Sequence, residues 1–412
     1  MKTEVVVVGG GSAGLAAAIA SARAGADTLL IERGGTLGGM ATAALVHTMC
    51  GLFRIHDGPD PVWANPGFPR EFAERLQKTG AAGKPIRMGR VDVLPHDPVA
   101  FAALADTMAA ECPRLRIWMH SELVAVHGKI EAVDVLCRGE HKSVTAKTWI
   151  DATGDASLTA MAGAAFEQMA SHQLQRPAYV ARLHGAPSGF FDEAGRLRIA
   201  HGIARAVKDG QLPAEALGAG FRAGVNENTA FVTVDLEAGQ GGWDPASPDA
   251  LAGVEITGRR TVLALIEFLR SNAPELAVVA WPARAGVRES RRATGVYELT
   301  GDDVLQCAQF PDAIAAVAWP MELRERATGP RFRFPEAPLT AQIPLRSLRH
   351  RDVKNLWIAG RCISATHEAQ ASIRVMGTCM ATGEAAGRAA AFGGSGNEDW
   401  LALASRVNQL SE

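Results

Sequence analysis

The sequence predicts an α/β fold in which a nucleotide-binding domain, assembled from separated chain segments, is interrupted by an inserted α+β domain. Three observations predict it. The chain opens on a β-branched strand, a glycine turn, an alanine-rich helix and a second strand ending in an acid, all within residues 5–32. Two further strand-and-glycine turns stand far downstream, at residues 148–155 and 355–361. The 412 residues suffice for two domains at roughly 100–200 residues each, and the stretch between the later two turns has no dinucleotide motif of its own.

The elements follow in order. Val5–Val8 reads as a strand buried on both faces. Gly9-Gly10-Gly11-Ser12-Ala13-Gly14 is a G-x-G-x-x-G turn, and a helix runs from Ser12 to about Ala24. Gly9 permits the sharp exit from the strand, Gly11 lets a diphosphate approach the backbone, and Gly14 lets the helix lie close on the sheet. Ser12 and Ala13 open the helix, whose N-terminus presents N–H groups and a partial positive charge to phosphates. Thr28–Ile31 is the second strand, and Glu32 at its end is placed to accept from ribose hydroxyls and to disfavour a 2′-phosphate. The uncharged run Val5–Ala22 is split by three glycines and a serine, which argues against a membrane span or signal peptide. A second glycine cluster, Gly218, Gly220 and Gly224, reads as a loop.

The glycines after Glu32 point to FAD over NAD. Arg33-Gly34-Gly35-Thr36-Leu37-Gly38-Gly39-Met40-Ala41-Thr42 is a second glycine loop, which the longer flavin arm requires and NAD does not. Thr148–Ala152 is a strand followed by the turn Thr153-Gly154-Asp155. Asn355–Ala359 is another, followed by Gly360-Arg361 and a helix from about Ala371 to Phe392 in which Gly383 and Gly387 stand four apart. The N-terminus of such a helix can face the N1–C2=O edge of a flavin and stabilise its reduced, anionic form. The fold class is thus a discontinuous Rossmann-type FAD-binding domain with an inserted α+β substrate domain.

Residues 355–391, NLWIAGRCISATHEAQASIRVMGTCMATGEAAGRAAA, resemble the C-terminal signature of the bacterial FAD-dependent oxidoreductase family, within the fumarate-reductase-like flavoproteins. Glu32–Thr42, Ile150–Asp155, Gly286–Arg292 with Tyr297–Asp303, and Ile343–Leu348 match in the same order, so the resemblance covers almost the whole chain. It implies the FAD fold and says little about substrate. It places Ser372 and Met376 beside the flavin and the backbone near Val124 beside the adenine. The family often has Asp and His after its Trp-Pro step; here Glu322 and Arg324 follow Trp319-Pro320.

The FAD domain is expected to comprise residues 1–50, 85–165 and 340–412, and the substrate domain 51–84 and 166–339. A helix is expected at Asp97–Ala110, with Pro98 in its first turn. Arg116–Met119, Leu123–His127 and Ile130–Cys137 read as an accessory meander before Val144–Ile150. Thr229–Glu237 alternates as a strand, and Ser247-Pro248 caps a helix reaching Ser271. Residues 51–70, rich in Gly and Pro, read as a loop over the pocket.

Flavin chemistry needs a proton acceptor and charge complementarity beside N5. His367, between the Gly360 turn and the last helix, is the acid/base candidate, with a loop-bracing role as its alternative. Arg374 in the first turn of that helix opposes the dipole, which a carboxylate of substrate or protein would explain. Arg288 and Arg291, around Glu289, suit bidentate carboxylate binding or a salt-bridge network. Tyr297 is a candidate pocket hydroxyl. His47 and Cys50 follow the flavin-side loop.

Lys and Arg number 42 against 44 Asp and Glu, a net charge of −2, which speaks for neither nucleic acid nor an anionic membrane. The six cysteines include no C-x-x-C pair, so iron–sulfur, zinc-ribbon and dithiol readings fall away, and reduced thiols fit a cytoplasmic protein. The histidines show no ligand spacing and no metal is expected. The expected activity is dehydrogenation of a small organic molecule with hydride transfer to flavin N5, and reoxidation by O2 or an electron carrier. The alternatives are an ene-reductase, whose arginines would hold a polarising carboxylate, and an electron-transfer subunit. Self-association is compatible with either.

Overall fold

In the computed structural model, residues 1–237, 243–326, 329–336, 339–393 and 399–409 are described. The expected spans 166–339 and 340–412 therefore lie partly outside the described residues.

The strand Lys2–Val8 is the centre of a parallel layer. Thr28–Ile31 pairs on one side of it and the second half of Glu140–Asp151 on the other. Leu115–Trp118 extends the layer beyond Thr28–Ile31, and Leu356–Ile358 pairs with the far side of Glu140–Asp151. Val5–Val8 are almost completely buried, as strands covered on both faces must be. Val8 stands opposite both Ile31 and Asp151, and Asp151 opposite Ile358. The three glycine turns thus leave the same edge of the sheet, side by side at the carboxyl ends of neighbouring strands, where open α/β sheets bind ligands.

The strand expected at Arg116–Met119 in the meander is Leu115–Trp118 and belongs instead to the parallel layer. The helix Pro98–Ala110, capped by Asp97, carries the chain across the sheet and returns it parallel to Thr28–Ile31, as a crossover does. The meander proper is Glu122–His127, Ala132–Cys137 and the first half of Glu140–Asp151.

A second sheet runs in the order Ala219–Ala223, Thr229–Asp235, Ala178–His184, Ala277–Ala280. Its alternation divides two environments. Tyr179, Ala181, Leu183, Val232 and Val234 face a separate apolar core under the helices Glu193–Lys208 and Pro248–Leu269. The opposite face carries Arg182, Arg222, Thr233 and Asp235. The glycine cluster at 218–224, expected as a loop, holds an edge strand of this sheet, Ala219–Ala223. Its register with Thr229–Asp235 supplies the order that its own weak β propensity does not.

The last helix also differs from expectation. Residues 371–392 do not form one helix: His367–Ile373 ends at Arg374, Val375 is extended, and Met376–Ala391 begins afresh. β-Branched Ile373 and Val375 favour a break, and outside bonds hold it. Gly377 N–H donates to the Cys50 carbonyl (2.9 Å), and the Ser372 hydroxyl donates to the Trp319 carbonyl. Residues 51–70 do not cover the cavity described below; the hairpin Ile86–Met88 and Val91–Pro95 lines it instead. Gly51 is pressed against Val375 and Thr378, which keeps the loop's start beneath the last helix.

Met376–Ala391 packs on Ser12–Arg23 with almost no side chain between them. A Cβ at Gly383 would collide with the Ala13 carbonyl oxygen, and one at Gly387 with that of Ala17. Backbone on both sides leaves nowhere to relax. Gly383→Ala should therefore cost roughly 1–3 kcal/mol or more, read as a lowered Tm together with FAD lost on gel filtration; a variant with wild-type Tm and full flavin content would show that the helices can move apart.

Candidate functional site

A cavity of about 1290 Å³ lies between the carboxyl edge of the parallel layer and the polar face of the second sheet. It exceeds the roughly 300–1,000 Å³ of an ordinary single-ligand pocket. Gly9, Gly11, Ser12 and Ala13 line it from the first turn, and Glu32, Arg33, Gly39 and Met40 from the second loop. Thr153, Gly154 and Asp155 contribute from the middle turn, and Gly360, Arg361 and Met376 from the C-terminal segment.

The loops are tied together by their own polar groups. Gly9 turns at φ +97°, where a Cβ would approach the Ala152 carbonyl oxygen to 2.6 Å. The buried Glu32 carboxylate accepts from Gly10 N–H (2.6 Å) and Gly34 N–H (2.7 Å), which clamps the first turn to the second loop. Gly38 N–H donates to the Gly10 carbonyl (2.8 Å). Arg361 donates to Asp155 (2.7 Å), as does Ser290 (2.8 Å). Burial would raise the Asp155 carboxyl, but the Arg361 charge and these hydrogen bonds outweigh it and hold it below its usual range.

The residues fit a flavin dinucleotide. No side chain caps the helix that starts at Ser12, and a Cβ on Gly11 would meet nothing nearer than Gly39 Cα at 4.0 Å. That leaves an open cradle for phosphate before free N–H groups. The Arg284 side chain, beside Gly39, makes no hydrogen bond or ion pair among the described residues and keeps a buried, unpartnered Nε. A guanidinium so placed calls for an anion.

The model of the FAD dependent oxidoreductase family matches residues 4–410. The chain belongs to that family. FAD is its cofactor and it is an FAD-dependent oxidoreductase. No curated protein matches the chain. Among solved structures, it is similar to the flavin-dependent brominase Bmp2 at 13% identity and TM-score 0.48, covering 100% of this chain and 84% of that one. It is similar to a geranylgeranyl bacteriochlorophyll reductase-like protein from Thermoplasma acidophilum at 13% identity and TM-score 0.45, covering 99% and 83%. A third is OxyS anhydrotetracycline hydroxylase from Streptomyces rimosus at 14% identity and TM-score 0.44, covering 95% and 62%.

Several expected contacts of this oxidoreductase lie outside the cavity lining. Gly14 is packed under the Gly9 carbonyl. Gly38, Ala41 and Thr42 stand behind Gly39 and Met40, with the Thr42 hydroxyl donating to the Leu37 carbonyl (2.7 Å). Val124 is exposed on the meander, and its neighbour Leu123 lines the cavity in its place. Ser372 is buried at the end of the short helix, bonded to Trp319. Tyr297 donates to Asp303 (2.9 Å) and packs on Phe310, away from the cavity.

His367 is also outside the cavity lining. Its Nδ1 stands 2.8 Å from Glu289, which also takes Arg292 at 2.6 Å, and Gln175 N–H at 3.1 Å. The geometry is that of a brace between the C-terminal segment and the strand entering Ala178. Arg374 does line the cavity, but as the C-cap of the short helix. Arg288 and Arg291 line it too. Arg288 is tied to Asp235 (2.7 Å) and the Arg176 carbonyl (2.8 Å).

At this end Glu322 and Arg324, the departures from the family pattern, pair with each other at 2.6 Å. Arg324 also bonds Asp235, and Trp319 Nε1 donates to Glu322 (2.9 Å). Burial would raise the Glu322 carboxyl; the charges of Arg324, Arg374 and Arg288 prevail and keep it ionised. Sequence reasoning missed Arg284 and Arg222. Arg284 lies just before the Gly286–Arg292 motif, so a wider window would have included it; Arg222 had no signal once its strand was read as a loop. His47 stacks on Phe231 (4.0 Å between centroids, 5° between planes), and its buried Nε2 has no partner. Burial, with His96 and Arg222 nearby, pushes His47 down to about 3 and keeps it neutral.

Burial opposes the His367 charge, but the Glu289 hydrogen bond and charge prevail and raise it above its ordinary value. The brace therefore contributes its full stability below about pH 6.5 and loses it as pH rises through the raised value. His367→Gln should lower Tm clearly at pH 5.5 and progressively less above pH 8; an equal loss at every pH would show that the charged pair is not the source.

Proposed function

We propose that this oxidoreductase dehydrogenates a small organic substrate held in the chamber beyond the flavin. The observation that supports the reading is a cavity too large for one ordinary ligand, whose far end offers an imidazole and fixed charges. FAD, when bound, accepts a hydride at N5. The residues that would hold it are the glycine turns, Glu32, Arg33, Arg284, Arg361 and the start of the helix at Met376. O2 or an electron carrier would restore the oxidised state.

The chain's own part is to take a proton and to orient the substrate. His47 Nε2 is the proton acceptor on this reading. Burial leaves its imidazole neutral but weakly basic, and the entry of an anionic substrate would raise its basicity toward the working range. Glu322, held by Arg324 and Trp319, serves as a positioning charge. Phe231 fixes the His47 ring plane. The reverse direction, reduction of an activated C=C, would use the same geometry with His47 as donor.

The purified yellow protein, screened anaerobically against a metabolite panel, should bleach with its substrate. Bleaching only by an added reductant, with recovery on adding an enoate, would replace dehydrogenation with ene-reduction. His47→Gln should slow substrate-driven flavin reduction by about 10²-fold or more, with the acidic limb of the pH–rate profile altered; unchanged rapid-mixing rates and profile would remove His47 from the chemistry.

A further inference from the structure

At the far end of the cavity two guanidinium groups have no carboxylate as a hydrogen-bond partner among the described residues. Arg288 and Arg324 share Asp235, and Arg324 also takes Glu322. Asp235 and Glu322 are thus both engaged by other arginines. The Arg222 guanidinium, on the polar face of the second sheet, has the Met88 sulfur (2.9 Å) as its one hydrogen-bond partner, and no carboxylate bonded to it, among the described residues. Arg374, from the break before the last helix, donates to the Gln175 side-chain oxygen (3.1 Å) and the Glu322 carbonyl (3.2 Å). Its buried Nε has no partner.

Both guanidinium groups line the cavity, and both act on the same two neighbours, the Cys50 thiol and the Glu322 carboxylate. Cys50 also receives Gly377 N–H on its carbonyl, so this spot adjoins the start of the helix at Met376. Desolvated cations that share one carboxylate at a distance, with none hydrogen-bonded to them, are costly. A fold that keeps two of them around one chamber gains further stabilisation when an anion enters. Arginine's planar fork matches a carboxylate in particular.

We propose that Arg222 and Arg374 form an anion subsite that takes the carboxylate of an organic-acid substrate. The proposal rests on the reading of this chamber as the substrate site. Its own content is the charge of the ligand and the identity of the two residues, with Arg288 excluded because Asp235 and a backbone carbonyl occupy it.

The test is ligand binding to the oxidised holoenzyme, with no turnover required. Propionate and succinate are titrated against propionamide and succinamide at constant ionic strength, followed by perturbation of the flavin visible spectrum and by calorimetry. The acids should bind at least about 10-fold more tightly than the amides. Arg222→Gln should weaken acid binding about 10- to 100-fold, with partial recovery in Arg222→Lys. Acids and amides binding alike, neither binding, or an unchanged Kd in Arg222→Gln would overturn the subsite. If Arg222→Gln does not fold, the acid–amide comparison on the wild type decides alone. Failure of the two readings is distinguishable. Acid binding with no metabolite able to bleach the flavin would keep the subsite and remove dehydrogenation. Bleaching by an uncharged metabolite, with acids not bound, would do the reverse.

Discussion

The structure depends on the backbone-to-backbone approach of two helices from opposite ends of the chain. Ser12–Arg23 carries the open glycine turn at its N-terminus, and Met376–Ala391 carries the start that lines the same cavity. Their separation fixes the distance between the two halves of the cofactor site. Glycine and alanine at the contact let carbonyl oxygens of one helix sit against bare Cα atoms of the other. Such a contact has little side-chain entropy to lose and tolerates almost no added volume. Covalent continuity cannot set this distance, because more than 350 residues separate the helices. Packing must, and both flanking strands feed it, since Val8 and Ile358 lie either side of Asp151 in one sheet.

The second sheet solves a different problem. A β-strand places alternate side chains on opposite faces, so one strand can serve an apolar core and a polar chamber at once. Tyr179, Val232 and Val234 take the first task, and Arg222, Thr233 and Asp235 the second. Placing charge on a buried face is expensive unless charges are paired. Asp235 meets that demand twice over by taking Arg288 and Arg324. Arg222 and Arg374, which have no carboxylate hydrogen bond among the described residues, are where that pairing stops.

What could be read from the sequence followed from local physics. The strand–turn–helix–strand–acid order at the N-terminus needs each residue type at its position for a mechanical reason, so Gly9, Gly11 and Glu32 were readable as a unit. The close approach at Gly383 and Gly387 was readable from their spacing. Tertiary pairing decided the rest. Leu115–Trp118 has the pattern of any short strand, and its crossover helix determines its neighbour. Ala219–Ala223 has a glycine-rich sequence that its register with Thr229–Asp235 overrides. The helix break at Arg374 depends on Cys50 and Trp319, which lie more than 50 residues away in the chain.

The two histidines show why proximity in sequence misleads about chemistry. His367 stands near a glycine turn and has the residue type that acid–base work favours, yet Glu289 and Arg292 enclose it, and its raised proton affinity is the product of a structural ion pair. His47 has the opposite environment: an aromatic ring on one face, another neutral imidazole nearby, and no carboxylate bonded to it. A histidine hydrogen-bonded to a buried carboxylate holds its proton more tightly than a free one. One that is desolvated at the cavity, with no partner on Nε2, changes state when a ligand changes its surroundings. Sequence position is the same kind of evidence for both; the partners that distinguish them come from Phe231 and Glu289, each about 80 or more residues away.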